Sequence, residues 1–127
     1  MAGAIPFYLG SRPLAAMSAA DVLTTYPLSF SGKIVGFRAV VKVVTTDATA
    51  AATLNLEIGA VDVTGGVLTL GDSNTAPTIT PIGVCIEATA ITALNTFVAG
   101  DTISIECSAY TAYNDGEVEF FIDVVRT

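Results

Sequence analysis

The chain has 127 residues, a length that fits one domain with a single core. Apolar residues make up 52% and charged residues only 13%, against a usual charged share of about 25%, so part of the surface is expected to be covered by other subunits. Five cations against twelve acids give a net charge of −7 and a pI near 4.1, which leaves no basic footprint for nucleic acid.

Residues 1–21 are rich in Ala, and Pro6 and Pro13 interrupt any regular element, so an irregular N-terminal arm is expected there. The segment lacks the basic start and unbroken apolar run of a signal peptide, and no stretch of the chain reaches the about 18 apolar residues of a membrane helix. One helical turn is available in "AMSAADVL". Ile5, Phe7, Tyr8 and Leu9 are too apolar for a solvated tail and are expected to bury against the body or a neighbouring subunit.

Residues 22–127 read as one β domain, with β-branched and aromatic runs separated by Gly, Asn, Asp and Pro clusters. "VLTTYPLSF" predicts an edge strand, because Pro27 cannot donate to a ladder. "KIVGFRAVVKVV" alternates so that Phe37, Ala39, Val41 and Val43 face one side and Arg38 and Lys42 the other. After the loop "TDATAAA", "TLNLEIGAVDV" directs Leu54, Leu56 and Ile58 inward. "TGG" then predicts a hairpin turn, with Gly65 and Gly66 free to take positive φ. The loop "DSNTAPTITP" leads to "IGVCIEATAI", "TISIECSAY" and "EVEFFIDVV", the last two joined by the turn "TAYNDG". About seven or eight short strands in a chain of this size suit an all-β, two-sheet sandwich of jelly-roll type, since a single open sheet would leave one face uncovered.

The last strand carries the one arrangement suggestive of catalysis. Asp115, Glu117, Glu119 and Asp123 fall close together, and strand neighbours at i and i+2 lie about 6.5–7 Å apart, a spacing compatible with paired glycosidase carboxylates. However, Val118, Phe120, Ile122 and Val124 form the apolar face, which leaves the acids on the polar face. The chain also has no Trp platform and no His for a triad. A solvated strand face in a non-enzyme is the expectation. Phe121 stands among those acids, covered either by a subunit contact or by the arm or a loop. Asp115 with Glu117, or Asp72 with Asn74, offers oxygen ligands but not the spaced series of a calcium loop. Strand parity puts Cys107 inside and Cys85 outside, so no disulfide is expected, and without His or C-x-x-C no zinc or copper site is either. No cofactor is called for.

Two stretches, "TLNLEIGAVDVTGGVLTLG" and "ITALNTFVAGDTISIECSAYTAYNDGEVEFFIDV", resemble small structural proteins of tailed bacteriophages, including capsid decoration or cement proteins, over roughly residues 28–125. The features that match are the Thr-rich strands, "GGVLTL", Asn95-Thr96 before the "AGD" turn, and Gly116-Glu117 leading into the final strand. The "F-x-x-GD" at Phe97 to Asp101 is also similar to trimeric jelly rolls of the tumour-necrosis-factor and complement-C1q type. The phage resemblance implies a virion protein made in the host cytoplasm that binds the major capsid protein on the capsid surface, as a homo-oligomer of three, and locks capsomers together. It implies neither a catalytic motif nor a nucleic-acid or membrane partner. Candidate partner-binding residues are Ile5, Phe7, Tyr8, Leu9 and Phe121. The alternative is a receptor- or glycan-binding sandwich of a phage tail or fibre, with Tyr110 and Tyr113 as its candidate platforms.

Overall fold

The computed structural model describes residues 3–127. Its strands are β1 (Ile5–Pro13), β2 (Asp21–Thr24), β3 (Gly32–Val43), β4 (Ala51–Ile58), β5 (Val61–Leu70), β6 (Cys85–Glu87), β7 (Thr96–Phe97), β8 (Ile103–Thr111) and β9 (Glu117–Arg126), with a 3₁₀ turn at Leu14–Ala16. They form two antiparallel sheets, one ordered β1-β9-β3-β6 with the short β7 also on β3, the other β2-β8-β4-β5. Partners are nested along the chain, β4 with β5, β3 with β6, β2 with β8 and β1 with β9. The strand count suggested the two-sheet sandwich, and its nesting across two packed sheets is a jelly roll.

The core lies between the sheets. Val118, Phe120, Ile122 and Val124 on β9 are buried, as alternation required, and so are Ile103, Ile105 and Cys107 on β8 and Leu54 and Leu56 on β4. Phe37 stacks on Phe120 at 6.1 Å across the β3–β9 pair. Two inward assignments differ. Val43 is 46% exposed, because the β3–β9 register shifts between Val41 and Val43 and reverses the side it faces. Ile58 is half-buried at the strand end.

The N-terminal segment is not irregular. Ile5–Pro13 pairs with β9, from Ile5 opposite Val124 to Pro13 opposite Glu117, and forms the edge of the first sheet. Pro6 and Pro13 fit there because one side of an edge strand has no ladder to donate to. The expected helical turn at "AMSAADVL" is replaced by the 3₁₀ turn at Leu14–Ala16, followed by β2 from Asp21. Leu14 and Met17 are buried in the common core, so the segment that follows β1 is part of the domain's interior.

The hairpin turn expected at "TGG" lies elsewhere. β4 and β5 turn at Gly59-Ala60, between the paired residues Ile58 and Val61, and β5 runs on through Gly65 and Gly66 at φ +82° and +65°. These two residues let the chain after β6 cross the edge of β5. A Cβ on Gly65 would stand 1.8 Å from the Ala90 carbonyl oxygen. The crossing is held by Thr64 N–H to Ala93 O at 2.9 Å and Thr89 N–H to Val67 O at 2.9 Å. It closes that side of the sandwich. At the opposite side, where β1 and β2 run along the two sheets, the Arg12 Nε–H donates to the Val22 carbonyl at 2.8 Å.

Candidate functional site

Outward side chains of β1, β9 and β3 share one surface, the outer face of the first sheet. Tyr8 faces Phe121 in the β1–β9 register, with ring centroids 5.3 Å apart. From the other side β3 sets Arg38 opposite Phe121, its guanidinium 5.3 Å from the ring centroid, and that group also donates to Asp123 at 2.6 Å. The aromatic ring that interrupts the polar face of β9 is thereby covered by its own chain, through Tyr8 of the N-terminal strand and Arg38. The cation–π contact contributes about 0.5–1 kcal/mol, and the partly exposed ion pair no more than about 1 kcal/mol. Gly36 makes room for the pair, since a Cβ there would meet Asp123 Oδ2 at 2.6 Å.

The five candidate partner-binding residues therefore come together on two paired strands, but they do not share a face. Phe7 and Leu9 are half-buried against the core, Tyr8 and Phe121 lie on the outer face, and Ile5, 56% exposed, sits at the sheet's end. At that end Phe7 packs on Phe30 at 5.6 Å, Phe30 on Phe97 at 5.4 Å edge-on, and Arg126 covers Phe30 at 5.1 Å. Ile5, Phe7, Phe30, Val124 and Arg126 line a groove of ≈ 230 Å³. A second groove, also lined by Phe7 and Phe30, reaches Tyr26, which is 91% exposed. The result is an apolar rim beside the β1 edge, continuous with the Tyr8–Phe121 patch. Tyr26 and Phe30 lie in the loop between β2 and β3 and carry no strand alternation; packing beside the N-terminal strand, Phe30 directly on Phe7, brings them into this surface.

Two of the acids on the last strand, Glu117 and Asp123, have ion-pair partners. Lys42 Nζ lies 3.1 Å from Glu117 Oε2, and Asp123 is held by Arg38. Asp115 sits in a cross-linked corner where it accepts from Thr46 N–H at 2.9 Å, Thr46 Oγ1 at 2.6 Å and Thr45 Oγ1 at 2.8 Å. In the same corner Asp47 accepts from Asn114 N–H at 2.8 Å and Asn114 Nδ2 at 2.9 Å. These donors hold both carboxyls below their ordinary titration range, for Asp115 chiefly Thr46 and for Asp47 chiefly the Asn114 backbone. Asp72 is lowered in the same way by the N–H groups of Asn74 and Thr75. Oxygens already filled by donors tie loops together and are poorly placed to bind a metal or move a proton.

The second sheet presents a different surface. Its strands carry Asp21, Glu57, Asp62 and Glu106 and no Lys or Arg, whereas all five of the chain's cations lie on strands of the first sheet. Asp21 faces Glu106 across β2–β8, and Glu57 faces Asp62 across β4–β5. One oxygen from each of Asp21, Glu57 and Glu106 lies within 4.8 Å of the others. Glu57 is only 5% exposed. Desolvation first, then Glu106 and Asp21, push its carboxyl up to about 7. Three positions so far apart in sequence meet only through strand order, so periodicity gives no sign of them.

The two tyrosines considered as glycan platforms separate. Tyr113 is 4% exposed and its hydroxyl donates to the Leu70 carbonyl at 3.3 Å and to that of Gly71. Burial raises its ionisation well above the ordinary tyrosine value. Tyr110 is 45% exposed. A ring locked into a loop cannot stack on a sugar, which leaves one exposed ring at that corner.

Among the described residues no helix is long and apolar enough to cross a membrane. Comparison with protein-family models, with curated proteins and with solved structures finds no match to this chain.

Proposed function

We propose that this chain is a non-enzymatic virion structural protein, which binds the outside of an assembled phage capsid and stabilises contacts between capsomers, itself a homo-oligomer of three. The observation that carries the reading is the continuous surface of Tyr8 and Phe121 with the apolar rim of Ile5, Phe7, Phe30 and Tyr26 at the β1 edge. Aromatic anchors among polar groups, next to exposed apolar side chains, suit a protein contact better than a small-molecule site. The donor-filled or paired acids Asp47, Asp72, Asp115, Glu117 and Asp123 support a scaffold over a hydrolase. The resemblance to phage decoration proteins over residues 28–125 gives the contact its proposed partner, the major capsid protein.

The experiment is co-sedimentation of the purified full chain with phage shells stripped of it, using Ile5→Asp and Tyr26→Asp as probes of the rim. Each replaces an exposed apolar group by a charge, so the fold is kept. Binding is expected to weaken about tenfold or more, the loss of roughly 1.5–3 kcal/mol for one buried anchor. Unchanged binding by both variants, from folded protein, contradicts this surface as the contact.

A further inference from the structure

We propose that copies of this chain meet one another at the β4–β5 hairpin end of the sandwich, with Leu94 of one copy seated beside Ile58 and Val61 of the next. The inference rests on the homo-oligomer of the proposed function and locates its contact apart from the Ile5–Tyr26 rim assigned to the shell.

Leu94 carries it. Among the described residues it is the only one other than glycine with a positive φ, at 54°, a left-handed conformation that a leucine adopts only under strain. Its flanks impose that backbone. On one side Thr64 N–H donates to the Ala93 carbonyl at 2.9 Å and Thr92 N–H to the Thr64 carbonyl at 3.0 Å, which ties the chain to β5 of the second sheet. On the other side the Asn95 carbonyl accepts from Ile34 N–H at 2.8 Å, and the buried Asn95 side chain donates to the Ile34 carbonyl at 2.6 Å, which ties the chain to β3 of the first sheet. Leu94 bridges these two anchorages and turns its side chain to solvent, 66% exposed. Gly, Asn or Asp would take the same backbone with less strain and leave no apolar group in water. The fold gains little from a leucine at this position, and a contact from outside the chain is what the side chain offers.

The surroundings suit a second copy. Leu94 forms one wall of an open groove of ≈ 460 Å³ shared with Ile58, Val61, Asn95 and Thr96, and Val61 and Val98 at the same end are 59% and 57% exposed. A projecting apolar side chain beside an apolar groove is complementary to another copy of itself, and a head-to-tail contact of this kind closes into a ring such as the proposed three. Charge favours the same place. The chain carries −7, so two copies repel wherever their acids face each other, but residues 58–61 and 93–100 include no charged side chain. The outer face of the second sheet, with its acids and no Lys or Arg, repels its like. The uncharged set is about a dozen residues, or roughly 400 Å² per copy at the density of standard interfaces, half of the about 800 Å² that each partner of a stable pair buries. The contact is therefore weak in solution and is completed where copies stand side by side on a shell, which raises their effective concentration.

The test is sedimentation equilibrium of the purified full chain from about 10 μM to 2 mM, at about 0.15 M salt to screen the net charge, with thermal unfolding of dilute protein alongside. The mass is expected to rise from the 13.0 kDa of one chain towards that of three, with a midpoint on the order of 0.1–1 mM. Leu94→Asp and Val61→Asp should each weaken association about tenfold or more and hold the mass near one chain over the same range. Ile82→Asp, 68% exposed in the loop before β6, leaves association unchanged. Leu94→Asn separates contact from fold, since it should weaken association while the dilute unfolding midpoint stays the same or rises. A dilute midpoint lowered by Leu94→Asn makes Leu94 a residue of the fold and overturns the assignment. A wild-type mass of one chain throughout overturns the proposal together with the oligomer it rests on. Association untouched by both Leu94→Asp and Val61→Asp overturns the proposal alone and leaves the oligomer on another surface.

Discussion

Leu14→Ala asks whether the N-terminal segment is part of the fold or an appendage to it. Leu14 is fully buried, its N–H donates to the Gly116 carbonyl at 2.9 Å, and its Cδ1 fills the space where a Cβ on Gly116 would come within 2.7 Å. Truncation empties a site enclosed by the corner of Thr45 and Gly116, where the surroundings have little freedom to collapse. A fully buried Leu→Ala change costs about 3 kcal/mol, within a range of about 2–5. For a domain of this size each kcal/mol moves the thermal midpoint by about 4 °C, so the shift is roughly 12 °C downward. Tyr8→Ala is the contrast. Tyr8 is 49% exposed and its main packing partner is Phe121, so its loss costs about 1 kcal/mol. Calorimetry and urea titration on the full-length variants measure both, with an unchanged m-value showing that the same surface unfolds. If Leu14→Ala shifts stability by less than Tyr8→Ala does, the segment does not belong to the core and its assignment to the interior is wrong.

Further outcomes follow from the same geometry. Cys85 is exposed and Cys107 is buried, and both are free; burial raises both thiols. Alkylation without reductant is therefore expected to label Cys85 alone in the native protein and both after unfolding, and mass spectrometry finding neither would mean a bridge. Gly65→Ala combines a positive φ with a clash against the Ala90 carbonyl, so it should destabilise by at least about 2–3 kcal/mol. Gly59→Ala, at φ +63° with open space around it, should cost only about 1 kcal/mol; equal denaturation midpoints would refute the crossing. Asp115 has a folded pKa below its ordinary 3.8, so its stabilisation is complete above that value and lost as pH falls through the lower one. Asp115→Asn should accordingly lower stability at neutral pH and flatten the acid limb of a pH–stability curve, and an unaltered limb would contradict the network.

Period-2 alternation was sufficient for β8 and β9, where Ile103, Ile105, Cys107, Val118, Phe120, Ile122 and Val124 all point inward. It failed at Val43, because a register shift is a property of the pair β3–β9 and leaves no mark on β3 alone. Pro6 and Pro13 read as breakers because a proline's missing N–H is costly in a central strand, but β1 is an edge. Gly65 and Gly66, free to take positive φ, read as a turn from sequence, because the chain segment that crosses them comes more than twenty residues later. Phe121 is legible as out of place on its strand and Tyr8 as part of an apolar N-terminal segment, though not as partners. The cluster of Asp21, Glu57 and Glu106 depends wholly on strand order, which hydrophobic patterning does not encode.

The proposed function stands most directly on where the protein resides in a virus particle. Antibody-labelled electron microscopy of particles from cells producing this chain is predicted to place the label over the outer capsid surface, in a regular array and absent from the tail. Label confined to the tail tip or fibres, or no label on any particle, would contradict the capsid-binding account.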